Sequence, residues 1–62
     1  MKRATKKALR RADNEMAICK QVLCRSGSAV EVACIELGYV KHKTDSLDWN
    51  LVYYRKPGDE AA

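Results

Sequence analysis

Lys2, Arg3, Lys6, Lys7, Arg10 and Arg11 put six cations and no acid into the first eleven residues. They recur at the three- and four-residue steps that gather side chains on one face of a helix. Such a face neutralises phosphates and releases their counterions, giving affinity with little sequence preference. A face that is only solvated mixes signs for i,i+4 pairing. Cations at a helix N-terminus also oppose the macrodipole, at about 0.3–1 kcal/mol each. The charges therefore gain nothing locally and fit an anionic partner, with nucleic acid first among the candidates.

Cys19, Cys24, Cys34 and His42 are the other side chains that could do chemistry. Their spacing, C-x4-C-x9-C-x7-H, lacks the Cys-x2-Cys knuckle common in zinc sites. On one helix, Cys19 and Cys24 would face clearly different sides. No glycine-rich turn or orienting carboxylate marks an activated thiol. The three cysteines read instead as small apolar residues. The sequence thus implies no catalytic residue, no metal, no cofactor and no small-molecule substrate, and 62 residues leave little room for a substrate pocket.

An odd cysteine count, and no apolar core behind the basic start, point to a cytoplasmic chain with reduced thiols. No apolar run nears the ~20 residues of a membrane span, and no Trp or Phe stands near the basic end to seat a helix in lipid. Charge is divided along the chain. Residues 1–25 hold eight Lys and Arg against Asp13 and Glu15, while residues 26–62 hold four against six acids. This predicts a basic arm on a mildly acidic body, with residues 1–57 as one small domain and 58–62 as a loose tail.

The elements that must position these groups are read from periodicity. Leu9, Ala12, Met16, Cys19 and Leu23, widened by Ile18 and Val22, form an apolar stripe that predicts one long helix over 3–25. Arg25-Ser26-Gly27 ends it, with Gly27 suited to a left-handed C′ position. Ser28-Ala29-Val30-Glu31 has the form of a capping box and predicts a second helix over 28–37, closed by Gly38. The β propensity of Val30, Val32, Cys34 and Ile35 leaves a strand there as the alternative. Residues 39–56 predict a β-hairpin, with strands 39–43 and 49–55 around a polar turn. Trp49, Leu51 and Tyr53 share a face assigned to the core, which leaves Tyr54 on the other. The fold class is α+β: a long helix, a short helix and a C-terminal antiparallel hairpin. The alternative is one helix packed on a three-stranded antiparallel sheet.

Ser28 to Lys56 resembles the second half of a winged-helix domain, carried by the step Leu37-Gly38-Tyr39-Val40-Lys41 and the hairpin after it. The resemblance implies a recognition helix at 29–37, a wing at Lys43–Asp48 and DNA binding in transcription regulation. Segment 29–37 holds Glu31 and Glu36 and no cation. Nucleic-acid contact then falls to the N-terminal arm, with Lys41, Lys43, Arg55 and Lys56 as secondary contacts.

The leading expectation is a non-enzymatic accessory regulator that binds nucleic acid through its basic N-terminal helix. The alternative is a small protein-binding modulator, of the size phages and mobile elements direct at host proteins. It would dock through the apolar and acidic second half, with Glu31, Ile35 and Tyr54 at the interface. The apolar excess also allows a homodimer seam.

Overall fold

A computed structural model describes residues 3–58 of the chain; Met1, Lys2 and residues 59–62, most of the expected tail, lie outside it. The order is α1 (Lys6–Cys19), β1 (Val22–Arg25), α2 (Ala29–Glu36), β2 (Val40–Thr44) and β3 (Leu51–Arg55). The three strands form one antiparallel sheet in the order β1-β3-β2. α1 packs on α2 and β1, and α2 packs on β1. The architecture is α+β, as the sequence predicts, with the helices on one face of the sheet.

α1 begins where Thr5 accepts a hydrogen bond from the Ala8 amide at 3.1 Å. Good helix formers follow, and the inward face is Ala8, Ala12 and Met16, with Leu9 packed beside them. The helix ends six residues earlier than the apolar stripe predicts. Lys20 turns into the left-handed region at φ 63°, and its amide bonds the Met16 carbonyl. Cys19 and Ile18 stay exposed, the latter at 80%.

The stripe fails because its last members, Val22 and Leu23, satisfy two periods at once. They fit the helical pattern, and with Cys24 and Arg25 they also alternate as a strand does. Pairing with β3 settles the choice: Val22 lies opposite Tyr54 and Cys24 opposite Val52, all four buried. The third strand is therefore residues 22–25. The alternative of a strand at 28–37 is overturned, because Ser28 caps a helix there by accepting from the Glu31 amide at 3.3 Å. Gly27, expected as a helix C′ residue, instead turns the chain from β1 into α2 at φ +80°. Gly38 ends α2 as expected, at φ +83°.

The hairpin forms with its faces inverted. Val52 and Tyr54 point into the core at 2% and 4% exposure, while Trp49 lies outside β3 at 86%. The turn explains Trp49. Asp45 accepts from the Leu47 and Asp48 amides, and Asp48 accepts from the Asn50 amide. These bonds extend the loop through Asn50, so β3 starts at Leu51, and its inward face is the one that pairs with buried Val22 and Cys24 of β1. Tyr54 is thus buried, and unavailable to the partner it was expected to meet.

Glu31 has a structural role as well. Its Oε1 accepts from the Gly27 amide at 2.6 Å and its Oε2 from the Tyr54 hydroxyl at 2.9 Å. The return bond of the capping box reaches Gly27 rather than Ser28, whose amide bonds the Arg25 carbonyl. A residue expected at an interface instead ties the start of α2 to the central strand. Glu31→Ala should lower unfolding stability by about 2 kcal/mol and Tyr54→Phe by about 1, read by urea denaturation. A Glu31 that acted only in docking would leave stability unchanged.

Burial, with the Cys24 thiol alongside, pushes the Cys34 thiol from its ordinary 9.0 up to about 12. Burial and the bond to Glu31 raise the Tyr54 phenol from 10.0. Both groups hold their protons more tightly when folded. Their contribution is complete below an ordinary thiol value of 9.0 and shrinks as pH climbs from there toward the folded values. Thermal melts should therefore show a midpoint that falls steadily above that pH.

Candidate nucleic-acid interface

The face that α1 turns inward decides where its cations stand. With Ala8, Ala12 and Met16 against the core, Lys6, Lys7 and Arg10 occupy the opposite, exposed side. Arg3 precedes the helix and is also exposed. Arg11 lies at the flank. Its Nε is 3.3 Å from Glu15 Oε1, the one ion pair among the described residues. No residue of the first turn of α1 is itself acidic, and the carboxylate that comes to this end of the helix is Glu36 of α2. The segment before α1 is tied down where the Ala4 amide donates to Glu36 Oε1 at 3.3 Å. Lys2 lies outside the described residues.

The other four predicted cations do not join this face. Residues paired across antiparallel strands share a side of the sheet. Lys43 pairs with Tyr53, and its ammonium sits 5.3 Å from the Tyr53 ring centre, on the side away from the helices. Arg55 is half-buried on that side, bonded through Nη2 to Gln21 Oε1 at 3.3 Å, with its Nε buried and unpartnered. Lys41 pairs with Tyr54 and sits on the helix side, because an irregularity between Lys41 and Lys43 reverses the alternation. Lys56 is exposed just past β3. Lys43 and Arg55 thus stand on the opposite side of the sheet from α1, and a rigid duplex against α1 does not reach them.

Ile35, the third residue expected at a protein interface, is 61% exposed on α2, near Leu37 at 40%. Sequence reasoning missed Arg25 and the loop side chains Leu47 and Trp49. Arg25 is exposed on β1, and Arg11 and Arg25 line one groove of about 380 Å³ at the β1 side of the sheet. Leu47 and Trp49 are the most exposed large apolar side chains described, at 95% and 86%. The signal that could have found them is the density of Asp45, Ser46, Asp48 and Asn50, which prolongs the turn past Trp49.

The thiols and His42 do not assemble into a site. Cys24 and Cys34 are buried together, whereas Cys19 is exposed at the end of α1. Among the described residues, no three His, Cys, Asp or Glu side chains converge as metal ligands. No helix described is long and apolar enough to cross a membrane. No protein-family model, curated protein or solved structure matches this chain.

Burial also raises the Cys24 thiol, with the Glu31 charge adding to the shift. Thiolate chemistry therefore favours Cys19 on exposure alone. A thiol reagent at neutral pH should label one cysteine of the folded protein quickly, and all three only after denaturation. Rapid labelling of Cys24 or Cys34 in the native state would show that the core opens.

Proposed function

We propose that this protein is a small non-enzymatic accessory factor that binds nucleic acid through the basic face of α1, by phosphate neutralisation and with low sequence specificity. The observation that carries this reading is the run of exposed cations Arg3, Lys6, Lys7 and Arg10 at the start of α1, opposite the core and ahead of Asp13. A helix face of one sign, at the end of the helix where that sign is least favoured, is maintained at a cost unless an anion meets it. Three free thiols agree with a cytoplasmic setting.

The winged-helix likeness enters only through its half of the chain. α2 runs through Leu37-Gly38 into β2, and the loop before β3 takes the place of the wing. α2 carries Glu31 and Glu36 and no cation, so base reading by that helix is not part of the proposal.

A second reading has its own support. Ile35 and Leu37 stay exposed beside Glu36 on α2, an apolar and acidic surface of the kind that docks on a basic-rimmed groove of a larger protein.

The test is a binding titration against unrelated duplex DNA and RNA at two salt concentrations. Neutralising about four phosphates predicts roughly a 10²-fold loss of affinity between 50 and 200 mM salt. Replacing Lys6, Lys7 and Arg10 by Ala should weaken binding more than tenfold and flatten the salt slope by about 3. Lys43→Ala, on the other side of the sheet, should change little. Affinity indifferent to salt, or equal losses from both sets, would overturn the proposal. No binding at low salt would shift the weight to the Ile35 surface.

A further inference from the structure

Trp49 and Leu47 stand out from the molecule on a loop that is built rather than loose. The Asp45 carboxylate accepts from the Leu47 amide at 2.7 Å, the Asp48 amide at 3.2 Å and the Tyr53 hydroxyl at 3.0 Å. Asp48 accepts from the Asn50 amide at 3.0 Å, and the Asn50 carbonyl accepts from the Ser26 amide at 2.7 Å. The loop is thus bonded internally and anchored to the end of β1. A fixed loop that holds a Trp in water has paid its ordering entropy before any partner arrives, which favours a docking anchor.

The groove at the β1 side supplies the matching surface. It measures about 380 Å³, has Leu23, Val30 and Leu51 in its lining, and is flanked by Arg11 and Arg25. The loop Asp45–Asn50 carries two acids and no cation. An acidic, apolar projection is therefore complementary to an apolar groove flanked by Arg25 and by Arg11, the latter paired with Glu15, and arginine is suited to stack on an indole face. Projection and groove adjoin, because Leu51 lines the groove and directly follows the loop. A patch that carries both a projection and its complement side by side meets the requirement of a two-fold contact, in which each copy gives and receives.

We infer that the chain forms a two-fold dimer in which the Leu47–Trp49 loop of each copy enters the β1 groove of the other. Each buried Trp removes about 150–250 Å² from water, and the contact occurs twice. The resulting interface sits at the small end of specific contacts. Of the α1 cations, Arg11 lines the groove, whereas Lys6, Lys7 and Arg10 do not.

Trp49 is the one tryptophan in the chain, so its emission reports the contact directly. Light scattering after size exclusion, in reductant to keep exposed Cys19 from cross-linking copies, would follow mass from about 1 μM to about 500 μM. The expected mass rises from 7.0 kDa to twice that value. The Trp49 emission should shift to the blue over the same concentrations. Trp49→Ala, Leu47→Ser and Arg25→Glu should each hold the protein at monomer mass. Their circular dichroism should stay unchanged, since all three side chains are exposed.

Monomer mass throughout would overturn the inference, as would a dimer that persists in well-folded Trp49→Ala or a mass that grows past two copies. A blue shift that appears only when duplex DNA is added would overturn it too, and would give the loop to nucleic acid instead.

Discussion

The Glu31 carboxylate ties three parts of the chain to one side chain: the start of α2, the turn out of β1 and the central strand. One oxygen fixes the Gly27 amide at the turn out of β1, and the other holds the Tyr54 hydroxyl on the central strand. Both bonds have a charged acceptor and are stronger than neutral ones. The Tyr54 bond also satisfies a hydroxyl that is otherwise buried, and so removes a desolvation cost that a thin core would carry poorly. The register of β3 depends on this arrangement. With Tyr54 inward, Val52 is inward, and Tyr53 and Leu51 turn to the open face.

Size sets the next constraint. The buried residues are Ala8, Ala12, Met16, Val22, Cys24, Ala33, Cys34, Val52 and Tyr54, and most of them are small. Alanines at the α1–α2 contact let the helices approach closely, but they bury little apolar area each. A chain of this length covers one face of its sheet and no more. The second face therefore keeps Leu23, Leu51 and Tyr53 near water, interspersed with Arg25, Lys43 and Arg55. Alternating charge with apolar groups there keeps any exposed patch small, a common way of keeping an open sheet face from aggregating.

The features legible in the sequence were those specified by neighbouring residues. Ser28 and Gly38 act within a few positions of themselves, so the start and stop of α2 could be read locally. The outward placement of the α1 cations followed from helical spacing alone. What could not be read was decided by distant partners. Val22–Arg25 fits both helix and strand, and only β3, nearly thirty residues away, selects the strand. Lys20 gave no warning either, because a left-handed lysine carries none of the usual glycine signal. The alternation of β3 is as its sequence predicts, but the face it buries is chosen by β1, which sets Val22 and Cys24 opposite Tyr54 and Val52. Trp49 precedes the strand and stays at the surface, while Tyr54 enters the core. The interface residues Glu31 and Tyr54 were misassigned for the same reason, since their mutual bond exists only in the correct register.

The two notable surfaces of this protein obey different physics. The α1 face acts through charge, and its reach in physiological salt is about 8 Å before screening takes over. The Leu47–Trp49 loop acts mainly by removing apolar surface from water, which salt does not weaken and which some salts strengthen. Ionic strength therefore separates them: it suppresses contact at α1 and spares or favours contact at the loop. They meet at Arg11, which lies on α1 and lines the groove that receives the loop, whereas Lys6, Lys7 and Arg10 lie outside that lining. If the loop pairs two copies, a nucleic acid meets two basic helices on one particle. The second contact then occurs at the effective concentration set by their fixed separation. A weak, nonspecific helix gains affinity in this way without any new contact to a base, which is how a domain too small for a reading surface of its own can still hold an extended anion.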